Sequence, residues 1–68
     1  MSQASRTEYA TRTLLEMQAA IESGDKKAFL ELLTSKKTGL HNATVGDAYL
    51  EEKYIAILRQ GLEKFISA

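Results

Sequence analysis

The sequence predicts an all-α fold, a single three-helix domain in which a short antiparallel helical hairpin packs against a long C-terminal helix. Apolar residues recur at spacings of three and four, the chain has no proline, and Gly24 and Gly39 separate the helical stretches. A chain of 68 residues forms one domain, residues 1–68, with a thin stability margin, because a chain of about 60 residues buries only about 60% of its unfolded surface.

The first helix is predicted over about residues 6–22. Ser5 followed three residues later by Glu8 has the form of a capping box, in which each side chain bonds a free backbone amide at the helix start. At about 100° per residue the apolar side chains form one core-facing stripe. The stripe contains Tyr9, Ala10, Leu14, Met17, Ala20 and Ile21.

The second helix is predicted over about residues 26–37. Gly24 suits the left-handed position after a helix, and Asp25 suits the N-cap of the next. Such a short connection predicts the antiparallel hairpin and leaves an apolar groove for the third helix. The buried face of this helix is expected to contain Ala28, Phe29, Leu32 and Leu33.

The third helix is predicted over about residues 45–66, after a stop at Gly39. Thr44 and Asp47 form a second candidate capping box. The apolar arc of this helix spans roughly 180°, whereas a surface helix needs only about 100°. The helix therefore carries more apolar surface than one hairpin can cover.

We assign this surplus to a row at spacings of four, three and four, and expect the row to bind a second copy of the chain or a larger protein. Gly61 would let a partner backbone approach closely. Leu15 and Leu30 lie outside the stripes of their helices and are candidate additions to the interface. The row contains Leu50, Tyr54, Ile57 and Gly61, while Ile55, Leu58, Leu62 and Phe65 are expected to serve the core.

Composition favours an intracellular, cytoplasmic protein that associates with protein. Nine Lys and Arg balance nine Asp and Glu, so no overall field attracts nucleic acid or anionic lipid. No stretch approaches the roughly 18 apolar residues of a membrane span, and the amino terminus lacks the apolar centre of a secretory signal. Because cysteine is absent, association is the remaining way to add buried surface.

The segment SKKTGLHNATVGDAY, residues 35–49, resembles the turn of a bacterial helix-turn-helix regulator. A small residue lies four positions before a turn glycine, Gly39, and a Thr-Val pair follows it. The resemblance implies DNA binding, with contacts from Lys36, Lys37, Asn42 and Thr44. DNA binding is therefore the alternative function.

Charge counts against this alternative. Residues 39–62 contain three carboxylates, Asp47, Glu51 and Glu52, but only Lys53 and Arg59 as cations. Phosphates dominate the affinity of DNA-binding proteins, and base edges are read by Arg, Lys, Asn and Gln. Structural punctuation accounts equally for Gly39, Thr44 and Asp47, so we prefer protein binding.

The sequence predicts no catalytic activity, no cofactor and no metal. His41 is the one histidine, and neither a cysteine nor a second histidine is present to form a metal site with it. No glycine-rich phosphate loop is found, since no glycine precedes Lys-Ser or Lys-Thr. We therefore expect a non-catalytic interaction module.

Overall fold

The computed structural model describes residues 3–66 and contains four helices in that range, with no strand. They are α1 (Gln3–Ser23), α2 (Lys26–Ser35), α3 (Lys37–Thr44) and α4 (Ala48–Phe65). The all-α class is confirmed. The three-helix arrangement is wrong, because the segment expected to end the second helix and turn forms the separate helix α3.

Helix α1 is the centre of the fold, since it packs against each of the other three helices. Its 21 residues form a rod about 31 Å long, close to the longest dimension of the described molecule, 38 Å. All four helices contribute to one apolar core around α1. The core consists of Ala10, Leu14, Met17, Ala20, Ile21, Phe29, Leu40, Leu50 and Ile57.

The junction of α1 and α2 follows the prediction. Gly24 adopts a positive φ of 75°, and the amides of Gly24 and Asp25 donate to the carbonyls of Ile21 and Ala20, which is the Schellman pattern. Asp25 caps α2 by accepting from the amide of Ala28 at 3.0 Å. At the other end of α1, Ser5 lies within the helix and is not its N-cap.

Helix α2 ends two residues earlier than predicted, at Ser35. The hydroxyls of Thr34 and Ser35 donate to carbonyls of Leu30 and Glu31, and such bonds compete with regular helix geometry. Lys36 then breaks the helix with φ −107° and ψ 2°. Gly39 does not stop a helix; it lies within α3.

The turn between α3 and α4 lies at residues 45–47, later than predicted. Gly46 has a φ of 84°, and Asp47 is the N-cap of α4, accepting from the amide of Leu50. Glu51 accepts from the amide of Gly46 at 3.0 Å. Thr44 is no cap: it is buried, and its hydroxyl donates back to the carbonyl of Leu40.

Phe29 joins α2 to α4 through a close approach. The Phe29 side chain is fully buried, and its ring lies directly against the backbone of Gly61, where any Cβ would overlap it. The ring of Phe65 flanks it at 5.6 Å between centroids, tilted by 46°. Gly61 therefore costs about 1 kcal/mol of helix propensity but provides the space into which the largest core side chain packs.

Gly61→Ala is expected to destabilise the protein by about 1–2 kcal/mol, because overpacking outweighs the gain in helix propensity. Urea unfolding followed by circular dichroism measures the change. Gln60→Ala, on the exposed side of the same turn, is the matched control and should change stability by less than about 0.5 kcal/mol. Phe29→Leu should recover part of the loss in the Gly61→Ala background, and a stabilised Gly61→Ala protein would contradict the close approach.

Candidate interaction surface

The row predicted to meet a partner lies instead largely in the intramolecular core. Leu50 and Ile57 are each 4% exposed, Gly61 is buried, and Tyr54 is half-buried against the core. The prediction that this row faces outward is therefore wrong. The physical reason is the pairing of Gly61 with Phe29, which turns this side of α4 toward α1 and α2.

The exposed apolar surface of α4 lies about 120° further round the helix. Ile55 is 57% exposed, Leu62 43% and Ile66 54%, whereas Ile55 and Leu62 were expected in the core. Leu58, half-buried, lies between them. We call these four residues at spacings of three, four and four the outer stripe: Ile55, Leu58, Leu62 and Ile66.

The outer stripe continues into an open cavity between α3 and α4 near the turn that joins them. The cavity has a volume of about 320 Å³, and Ile55 and Leu58 from the stripe help to form its wall. Val45, 57% exposed, lies on the opposite side with His41. The apolar surface therefore extends beyond α4 to the end of α3.

Leu15 and Leu30 do not join this surface. Leu15 is 59% exposed and lines a depression on α1, formed entirely by α1 residues. Leu30 is half-buried against the core and lines a different depression, with Lys26 and Lys27. The predicted interface residues thus occupy three separate places in the fold.

Charged residues border the outer stripe on the side away from the core. Arg59 and Glu63 lie one helical turn apart, and both are exposed. In the part of the chain that the structure describes, the ion pair formed is Glu8–Arg12, at 2.7 Å on the surface of α1. Arg59 and Glu63 therefore remain available to charges on another molecule.

Tyr54 lies beside the outer stripe, and its surroundings shift the pKa of its phenol. Burial raises the pKa of its phenol above the ordinary value of 10.0, because a phenolate is poorly solvated in partly apolar surroundings. The ring lines the cavity with Glu51 and Ile55. Tyr54 therefore stays neutral at physiological pH and contributes an apolar ring with a polar tip.

The four residues implied by the helix-turn-helix resemblance do not form one surface. Thr44 is 2% exposed, and its hydroxyl donates to the carbonyl of Leu40. The ammonium of Lys36 lies over the Tyr9 ring, 5.9 Å from its centroid. Asn42 lines a cleft of about 370 Å³ between α1 and α3, about 140° around α3 from the exposed Lys37. The turn expected at Gly39 is also helical, so the predicted geometry of that segment is wrong.

Residues 3–66 were also compared with the requirements of a metal site and of a membrane span. No group of three or more His, Cys, Asp or Glu side chains there could hold a metal ion. None of the helices in that range combines the length and hydropathy needed to cross a membrane. Comparison with protein-family models, curated proteins and solved structures finds no match.

Two isoleucines on α4 test the assignment of its faces. Ile57→Asp should destabilise the protein by more than about 3 kcal/mol, because it buries an unpaired carboxylate. Ile55→Asp, two residues away at an exposed position, should cost less than about 1 kcal/mol. Thermal and urea unfolding of both variants measures this difference. A folded, stable Ile57→Asp protein would contradict the buried position of Ile57.

The raised pKa of Tyr54 predicts a loss of stability at alkaline pH. Because the pKa of Tyr54 is raised in the folded protein, its phenol ionises more readily in the unfolded chain. The contribution of Tyr54 to stability is therefore complete below about pH 10 and is lost as the pH rises through the pKa of the folded state. Urea unfolding between about pH 9 and 11 should therefore show a smaller alkaline loss in Tyr54→Phe than in the wild type. Tyr49→Phe is the matched control, and an unchanged loss in Tyr54→Phe would contradict the assignment.

Proposed function

We propose that the protein is a non-catalytic helical interaction module that binds another protein chain through the outer stripe of α4. The observation that supports this proposal is the exposure of Ile55 and Leu62 on one side of α4, continued by the exposed Ile66 at its C-cap. Scattered exposed leucines are normal in monomers, but apolar residues at helical spacing along one face are the pattern used by amphipathic helix partners. The stripe is about 16 Å long from Ile55 to Ile66.

The rest of α4 supports the same function. Asp47 and Glu51 hold its first turn, and near its other end Lys64 donates to the carbonyl of Ile21 at 2.6 Å. A helix anchored at both ends presents its outer side with little loss of backbone conformational entropy on binding. The stripe is thus a preformed surface.

A photo-crosslinking experiment tests the proposal. A benzophenone amino acid replaces Leu62 in the protein expressed in its natural cells, and the matched control places it at Gln60, two residues away on the opposite, exposed side of α4. Irradiation should give covalent protein adducts from position 62 and several-fold fewer from position 60. Adding Ile55→Asp should remove the adducts, because it places a charge in the apolar contact.

Mass spectrometry of the adducts identifies the partner chain. An absence of adducts at position 62, or equal yields at positions 62 and 60, would overturn the proposed function. Adducts that persist with Ile55→Asp would show that the contact at position 62 does not depend on the apolar character of the stripe.

A further inference from the structure

We propose that the occupant of the outer stripe is a second copy of this chain, with the two α4 helices packed antiparallel about a two-fold axis beside residue 61. This inference rests on the proposed function and adds the partner, the orientation and the register. Three features of α4 lead to it: the spacing of the stripe, the position of its flanking charges, and the coincidence of their midpoints.

The spacing of the stripe suits pairing with another helix. Intervals of three, four and four residues keep the four side chains within about 80° of arc, as in the seam of a paired helix. The formal net charge of zero means that no overall repulsion opposes the approach of two copies.

The flanking charges favour the antiparallel orientation. Arg59 and Glu63 border the stripe on the same edge, while its other edge adjoins the core of its own chain. We call the edge with Arg59 and Glu63 the outer edge. In an antiparallel pair related by a two-fold axis, the outer edges of the two helices lie on the same side of the interface and can contact each other. In a parallel pair, each outer edge meets the core-side edge of the other helix and finds no charge of opposite sign there.

The register follows from two midpoints. The stripe from Ile55 to Ile66 is centred between residues 60 and 61, and the pair Arg59 and Glu63 is centred at residue 61. These points differ by less than about 1 Å along the helix. One two-fold axis therefore superposes the stripe on its copy and brings Arg59 level with Glu63 of the partner subunit, twice per dimer.

Charge exchange between subunits tests this register. Arg59→Glu and Glu63→Arg each replace two attractive contacts by two repulsive ones, so each variant alone should dimerise about tenfold more weakly than the wild type. An equimolar mixture of the two should form a heterodimer with an affinity within about threefold of the wild type, because both contacts then pair opposite charges. Sedimentation equilibrium over a concentration series gives the dissociation constants, and circular dichroism verifies that each variant is folded.

Glu52→Arg is the matched control, since it changes the net charge as Glu63→Arg does. Glu52 lies level with a point beyond the partner's α4, so this variant should dimerise as the wild type does. Mixing it with Arg59→Glu should not restore wild-type affinity. Weakening by Glu52→Arg equal to that by Glu63→Arg would overturn the register.

The outcomes separate this inference from the proposed function. A wild-type protein that stays monomeric while position 62 crosslinks to a different protein would overturn the homodimer and leave the interaction module intact. A monomer without crosslinks would overturn both. A wild-type dimer unaffected by either charge change would place the dimer contact elsewhere on the molecule.

Discussion

The contact between the Phe29 ring and the backbone of Gly61 sets the rotation of α4 about its own axis. Helices α2 and α4 share few other contacts, since each packs mainly on α1 and α3. With no side chain at residue 61, the aromatic ring can lie against the helix backbone, and Phe65 closes the other side of the ring. The contact therefore helps to determine which side of α4 faces the core and which side is left in solvent.

The same principle operates between α1 and α3. A Cβ at Gly39 would overlap the hydroxyl of Tyr9 and press on its ring, so a glycine within a helix again admits an aromatic side chain from a neighbouring helix. Both glycines lower local helix propensity and both allow close packing. The two aromatic–glycine contacts thus join α4 to α2 and α3 to α1.

Local signals in the sequence predicted the junction of α1 and α2 correctly, but not the caps at Ser5 and Thr44. The Schellman turn at Gly24 and the cap at Asp25 depend on adjacent residues and were correct. The structural role of Gly39 and the direction of the Leu50 side chain depend on contacts between residues distant in sequence. Local signals carry no information about such contacts. Either half of an apolar arc of about 180° could face the core. Periodicity alone therefore could not decide which half of α4 was buried. The outer stripe was missed for that reason, although its residues lay within the arc.

The central position of α1 also constrains when the fold can form. A ribosome makes α1 before the three helices that cover it, so its apolar face has no complete partner surface during synthesis. Ile57, whose side chain contributes to the same core, is added 36 residues after Ile21, and Phe29 lacks its glycine contact until residue 61 is made. Cooperative folding therefore waits for α4, and nascent chains that end before it are expected to be substrates for chaperones and proteases.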